Sequence, residues 1–177
     1  KKDGTNVTTD ATGSNTYSAE GVYTVIVTTT DNSGRTSINN YTFMIDKTKP
    51  VCGSSSTFSS WINTDRTTSV ACSDTGSKCT QSSFSQTFTS TAATGSITIY
   101  DVAGNSNTCT VDVKVDKVKP SCGTATAVST WVNTDRTISI GCSDANSKCS
   151  TATFSNTFTK TAETGTITIS DNAGNSN

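Results

Sequence analysis

The segment ITIYDVAGNSNTCTVDVKV, residues 97–115, contains the pattern on which the rest of the chain is built. Apolar and polar residues alternate in ITI at its start and in CTVDVKV at its end, which is the period of a β-strand with one buried face. Between these runs lies DVAGN at 101–105, a typical tight turn because Gly, Asn and Asp adopt the backbone conformations that turns require. The segment therefore predicts two antiparallel strands joined by a short turn.

The same alternation recurs along the chain, and no segment has the length and period of a helix. It is found at Tyr41, Phe43 and Ile45, at Ile138, Ile140 and Cys142, and at Ile167 and Ile169. The turn residues in the two copies are Asp101, Gly104, Asn105, Asp171, Gly174 and Asn175. Short strands with turn signals about every 8 to 12 residues favour an all-β, antiparallel sandwich of six or seven strands per module.

The chain repeats itself at an offset of 70 residues. WINTDRT at 61–67 returns as WVNTDRT at 131–137, and roughly 35 of the 58 pairs between 50–107 and 120–177 are identical, which is the signature of a tandem structural repeat. We divide the chain into the C-terminal part of a diverged module at 1–49, a complete module at 50–119 and a module at 120–177 that stops before its last strand. The natural polypeptide is expected to continue in both directions.

Composition excludes several classes of function. The net charge of -1 offers no attraction to nucleic acid, and no apolar run approaches the ~18 residues of a membrane-spanning segment. Serine and threonine fill roughly 65 positions while leucine is absent, which favours strands. Histidine is also absent, so a hydroxyl or thiol nucleophile lacks its usual base, and we do not expect an enzyme.

Seven cysteines in a short polar chain indicate an oxidising, extracellular location. They are Cys52, Cys72, Cys79 and Cys109 in one module and Cys122, Cys142 and Cys149 in the next, whose fourth partner is expected just past residue 177. The closest spacing, between Cys72 and Cys79, is not the C-x-x-C spacing of a zinc site, so disulfides are expected. Four thiols allow three pairings. We favour Cys52 with Cys72 and Cys79 with Cys109, with a Cys72 to Cys109 link as the rival.

Both prolines of the chain lie where one module meets the next, in DKTKP at 46–50 and DKVKP at 116–120. The residue before a proline is held in an extended conformation, so the last strand runs almost directly into the next module. The residues that mark these junctions are Asp46, Pro50, Asp116 and Pro120. A short, stiff connection of this kind predicts an elongated rod of modules with a repeated orientation.

The run ITIYDVAGN at 97–105, followed by VDKVKP at 115–120, resembles the bacterial immunoglobulin-like repeats of large extracellular surface proteins and adhesins. This resemblance implies a sandwich fold, tandem arrays and a structural role in a surface filament, stalk or adhesin. The chain differs from the family in being rich in cysteine, so no ligand site of the family is transferred to it.

Two other functions are considered. One is a repeated module that binds glycan or protein by avidity, with Trp61 and Trp131 stacking on sugars, although a core position is favoured for both indoles. The other is a segment of a phage or virion fibre. The expected partners are further modules of the same polypeptide, with lateral self-association through strand edges or a surface glycan or protein as alternatives.

No cofactor is expected, apart from a structural calcium ion that we also consider. Its carboxylate ligands would be Asp65, Asp74 and Asp101, and in the next module Asp135, Asp144 and Asp171. Roles at turns and strand ends are favoured for these aspartates, because no loop has the dense acidic spacing of a dedicated calcium site.

Overall fold

The computed structural model describes residues 2, 16–159, 161 and 164–177. Those residues contain no helix, so none could span a membrane. The ten strands are β1 Gly21–Thr30, β2 Thr36–Ile45, β3 Val51–Ser55, β4 Arg66–Ser73, β5 Ser83–Phe88, β6 Ala92–Tyr100, β7 Ser106–Val115, β8 Ser121–Ala125, β9 Arg136–Ser143 and β10 Thr153–Phe158. The predicted all-β class with antiparallel sheets is confirmed.

The chain divides into two compact units that do not follow the 70-residue repeat. Unit 1 consists of Lys1–Cys52, Cys72–Ser82 and Thr98–Asn107, and unit 2 of Gly53–Ala71, Ser83–Ile97 and Thr108–Asn177. Each unit therefore contains the end of one repeat together with part of the next.

Unit 1 contains the hairpin of β1 and β2, which pair from Gly21 opposite Ile45 to Thr30 opposite Thr36. Its turn is closed by Asp31, whose carboxylate accepts hydrogen bonds from the backbone N–H groups of Ser33 and Arg35 at 2.9 Å each. On one face of the hairpin, the ring of Tyr23 stacks on that of Phe43 with 5.1 Å between their centroids. Cross-strand aromatic pairs of this kind stabilise a two-stranded sheet.

Unit 2 contains the sheet β10-β9-β8 and the paired strands β4 and β5. The second repeat keeps the register of the first, because Arg66 lies opposite Phe88 in one copy and Arg136 lies opposite Phe158 in the other. The hydroxyl groups of the facing threonines are 2.8 Å apart in both copies.

Strand β7 shows the alternation that the sequence predicts. Val111, Val113 and Val115 are buried, whereas the residues between them are partly exposed. In unit 2 these valines lie in the core with Val70 and Ile97. Side chains that alternate between core and solvent are what one-sided burial of a sheet requires.

One predicted strand is absent. Residues 164–169 have no ladder, although Ile169 is fully buried and exchanges two backbone hydrogen bonds with Asn177. The equivalent strand β6 is paired with β7. Because a strand needs a neighbour for its backbone groups, and the described residues hold no strand beside 164–169, this segment stays irregular.

Candidate functional site at the aspartate junctions

The two junctions, 46–50 and 116–120, each lie within a single compact unit. The first belongs to unit 1 and the second to unit 2. In each unit the junction contacts two segments of the following repeat: a loop closed by a disulfide, and the tight turn that follows β6 or its equivalent.

At the first junction, Asp46 is bound through both its side chain and its backbone. Its carboxylate accepts hydrogen bonds from the backbone N–H of Ser77 at 2.6 Å and of Thr48 at 3.0 Å. Its carbonyl oxygen accepts a hydrogen bond of 3.1 Å from the side-chain amide of Asn105. Pro50 is buried, and its carbonyl accepts a 3.0 Å hydrogen bond from the side-chain amide of Asn107.

The second junction reproduces these contacts at the offset of 70 residues. The Asp116 carboxylate accepts hydrogen bonds of 3.0 Å from the backbone N–H groups of Ser147 and Val118. The carbonyl oxygens of Asp116 and Pro120 accept hydrogen bonds from the side-chain amides of Asn175 at 2.9 Å and Asn177 at 3.1 Å. Apart from Thr48 and Val118, which contribute only their backbone N–H groups, the network is therefore built twice from the same residue types.

Hydrogen bonds keep both junction aspartates ionised. The Ser77 and Thr48 donors hold the pKa of Asp46 below its usual value. Burial raises the pKa of Asp116, but the hydrogen bonds from Ser147 and Val118 outweigh this effect and the pKa is lowered overall. A carboxylate that accepts backbone N–H groups is stabilised in its charged form.

The turn residues position the asparagines of the network. The Asp101 carboxylate accepts hydrogen bonds from the backbone N–H and the side-chain amide of Asn105, both at 2.7 Å. Asp171 does the same for Asn175, at 2.8 and 2.7 Å. The turn is completed by Gly104, and by Gly174 in the other copy, with φ values of 94° and 93° that strain any other residue. Asn105 is thereby held in the orientation in which its amide reaches Asp46.

The disulfides differ from the favoured pairing. Cys72 is bonded to Cys79, and Cys142 to Cys149, so both the preferred Cys52–Cys72 and Cys79–Cys109 links and the rival Cys72–Cys109 link are wrong. The link forms because Asp74 accepts a 2.8 Å hydrogen bond from the backbone N–H of Lys78, which turns back with a φ of 73°. That reversal brings Cys79 beside Cys72.

The remaining three cysteines differ in whether they are disulfide-bonded. Cys52 and Cys109 are also disulfide-bonded, whereas Cys122 is exposed and free. Six bonded cysteines are in keeping with the predicted oxidising, extracellular type of environment.

Each junction also brings three carboxylates together. Asp46, Asp74 and Asp101 can each direct one oxygen to a common point with these atoms within 4.8 Å of one another, and Asp116, Asp144 and Asp171 do the same. Of the aspartates considered as calcium ligands, Asp74, Asp101, Asp144 and Asp171 lie in these clusters, whereas Asp65 and Asp135 do not. The junction aspartates Asp46 and Asp116 complete the two clusters instead. Asp65 forms an ion pair with Lys117 on the surface instead.

The junction aspartates, prolines and turns are evident in the sequence, but the groups that donate hydrogen bonds to them are not. Ser77, Asn107 and their equivalents Ser147 and Asn177 are unremarkable among so many serines and asparagines. The available signal was their identity in both repeats, which they share with the junction aspartates, the prolines and the turn residues.

The tryptophans were expected in a core position. Trp61 is half-buried, but Trp131 is 77% exposed. The core expectation is therefore wrong for the second indole.

The chain matches no protein-family model, no curated protein and no solved structure in the comparisons made. Its function is therefore inferred from the geometry of the chain itself.

Proposed function

We propose that this chain is a structural segment of an extracellular bacterial filament, stalk or adhesin, built from tandem immunoglobulin-like sandwich modules. The observation that carries the proposal is the junction network, which is formed twice by the same residue types at nearly the same distances. A connection that is bound at several points of its backbone favours one repeated orientation of successive modules, as a stiff rod requires.

The strength of the junction follows from the kind of bond it uses. A hydrogen bond to a charged group contributes about 1.5–3 kcal/mol and a neutral one about 1 kcal/mol. At the second junction two bonds reach the Asp116 carboxylate and two reach backbone carbonyls. A flexible Gly/Ser linker would form none of them.

Small-angle X-ray scattering on the full chain tests this proposal. Replacing both junction aspartates, as D46A/D116A, should free the modules and change the distance distribution towards that of a jointed chain. The control is D135A, which removes a carboxylate from an exposed position outside the junctions. Identical profiles for the junction variant, the control and the wild type would refute a role of the aspartates in orientation.

A second candidate function is the binding of a divalent cation, with calcium favoured, at each junction. Three carboxylates converge in each cluster, and no lysine or arginine in the described part of the chain forms an ion pair with any of them. Asp101, Asp116 and Asp171 are buried. Oxygen ligands at the rim of a loop suit calcium, and a bound cation would offset the repulsion among the carboxylates.

Thermal unfolding in calcium and in a chelator tests the second candidate. Calcium should raise the unfolding temperature of the wild type, because a ligand that binds only the folded state stabilises it. The variant D74N/D144N should lose this response while D65N/D135N keeps it. An equal calcium response in all three proteins would show that the clusters hold no ion.

A further inference from the structure

A disulfide closes the loop that binds the first junction. Cys72 and Cys79, which are bonded to each other, are seven positions apart in the sequence, so the bond encloses residues 73–78. Ser77 lies in this loop, and its backbone N–H donates the 2.6 Å hydrogen bond to the Asp46 carboxylate. A donor that holds the junction therefore belongs to a covalently closed loop.

The same loop also binds the turn that follows β6. The carbonyl oxygen of Lys78 accepts a 2.9 Å hydrogen bond from the backbone N–H of Val102. The hydroxyl oxygen of Ser77 accepts one of 3.1 Å from the backbone N–H of Ala103. The loop therefore connects the junction to the turn, and the position of its backbone decides whether both sets of hydrogen bonds form.

The backbone of the loop has a conformation that its sequence does not favour. Lys78 has a φ of 73°, in the left-handed region that residues with a side chain rarely adopt. The disulfide favours this conformation because it restricts the opened loop, and reduction of the bond returns that conformational freedom. Cys72 and Cys79 are both half-buried, so that a thiol reagent can reach the bond.

The second copy has the same arrangement. Its loop is closed by the bond between Cys142 and Cys149, again seven positions apart. Lys148 has a φ of 67°, and its carbonyl accepts a 2.9 Å hydrogen bond from the backbone N–H of Asn172. The N–H of Ser147 donates the 3.0 Å hydrogen bond to the junction aspartate. A disulfide, a left-handed lysine and a junction donor thus occur together in both copies.

We propose that the disulfide of each loop is a redox switch for the junction that the loop binds. When the bond is formed, the loop presents its serine N–H to the junction aspartate. When the bond is reduced, the loop opens, because the left-handed lysine is no longer enforced, and the aspartate loses this donor. The reagent that opens the loop is a dithiol, and the reagent that closes it is a disulfide.

Opening is a balanced thiol–disulfide exchange. The first thiolate of the dithiol attacks one sulfur of the protein disulfide, which releases the other sulfur as a thiolate. The second thiol of the reagent then attacks the mixed disulfide, so that both cysteines become thiols and the reagent leaves as a disulfide. Two electrons and two protons pass from the dithiol to the protein, and a disulfide oxidant takes them up again when the loop closes.

The switch acts on the junction network, and it holds whether or not the chain forms a rod. Its consequence for assembly rests on the proposed structural role. A chain that is kept reduced before export has open junctions, and it becomes stiff only once it meets an oxidising environment.

Amide hydrogen exchange, measured by NMR on the full chain, tests the switch. Every protein carries C122S, so that no free thiol reacts with the disulfides. In C72S/C79S the Ser77 amide should exchange at least about tenfold faster, because the loop regains its freedom. The Ser147 amide, whose own loop keeps its disulfide, should keep its rate and is the matched internal control.

The variant C142S/C149S repeats the test in the second copy and should have the opposite effect on the two serines. The pKa of Asp46, which its Ser77 donor holds below the usual value, should rise in the first variant and stay low in the second. In the parent protein, dithiothreitol should raise the exchange rates of both serines, and oxidised glutathione should restore them.

The hairpin of β1 and β2 separates local opening from a general loss of stability. Its amides lie in unit 1 with loop 73–78, and local opening should accelerate their exchange less than that of Ser77. Selective and reversible loss of protection at the serine of the opened loop supports the switch. Equal acceleration across the hairpin, unchanged exchange at Ser77, or unfolding of either double variant refutes it, as does protection that oxidised glutathione fails to restore.

Discussion

Replacing Asp116 with alanine is the most direct test of how the second junction is held. The side chain is fully buried, and its two oxygens accept 3.0 Å hydrogen bonds from the backbone N–H groups of Ser147 and Val118. The variant leaves the Ser147 N–H, which is buried, without an acceptor, at a cost of about 1–3 kcal/mol. It also loses the second charge-assisted bond. We expect the free energy of unfolding of unit 2 to fall by about 2–5 kcal/mol.

Hydrogen exchange on the full chain measures this effect locally. The amide of Ser147 should exchange faster in D116A, and the urea midpoint of unit 2 should fall. The matched control is D135A, which removes the same charge from an exposed position and should change stability by at most about 0.5 kcal/mol. If D116A and D135A have the same midpoint and the Ser147 amide keeps its protection, the reasoning is wrong.

Three further outcomes are expected. The variant C142S/C149S should lose about 2 kcal/mol of stability in urea unfolding, because the short loop regains the entropy that its disulfide removes; an unchanged midpoint would contradict this. Gly95→Ala should lower the melting temperature, because the new Cβ would overlap the ring of Phe88, and the additional variant F88L should relieve part of the loss. The depressed pKa of Asp116 means that its contribution is present above the unfolded pKa of 3.8 and is lost as the pH falls below it, so acid unfolding of D116N should depend less on pH than that of the wild type.

Much of the fold could be predicted from the sequence because its signals are local. The alternation in β7 and the turn at 101–105 each depend on a few adjacent residues, and the structure has both. The prediction of a strand at 167–169 was wrong because it depends on a distant segment. Its side-chain pattern is correct, but a strand also needs a paired neighbour, and alternation within one segment carries no information about that neighbour.

The aspartates and prolines of the candidate site could be predicted from the sequence, but the contacts that they make could not. Aspartate and proline at the junction are conspicuous, whereas the donors that bind them lie about 30 and 59 residues further along the chain. The disulfide was misassigned because the prediction paired neighbouring strands. The left-handed backbone at Lys78, which reverses the loop and joins Cys72 to Cys79, is not indicated by a lysine in the sequence.

The asparagine amides of the junction bind the carbonyl oxygens of Asp46 and Pro50, not their side chains. The junction is thus bound largely through backbone groups, which every residue has. The residues between the aspartate and the proline can therefore differ, as threonine and valine do at 48 and 118, without changing these hydrogen bonds. The ends of the first and second copies therefore bind the same donors in the copy that follows each of them. Duplication of one copy would therefore create a new boundary whose hydrogen-bond donors and acceptors already match.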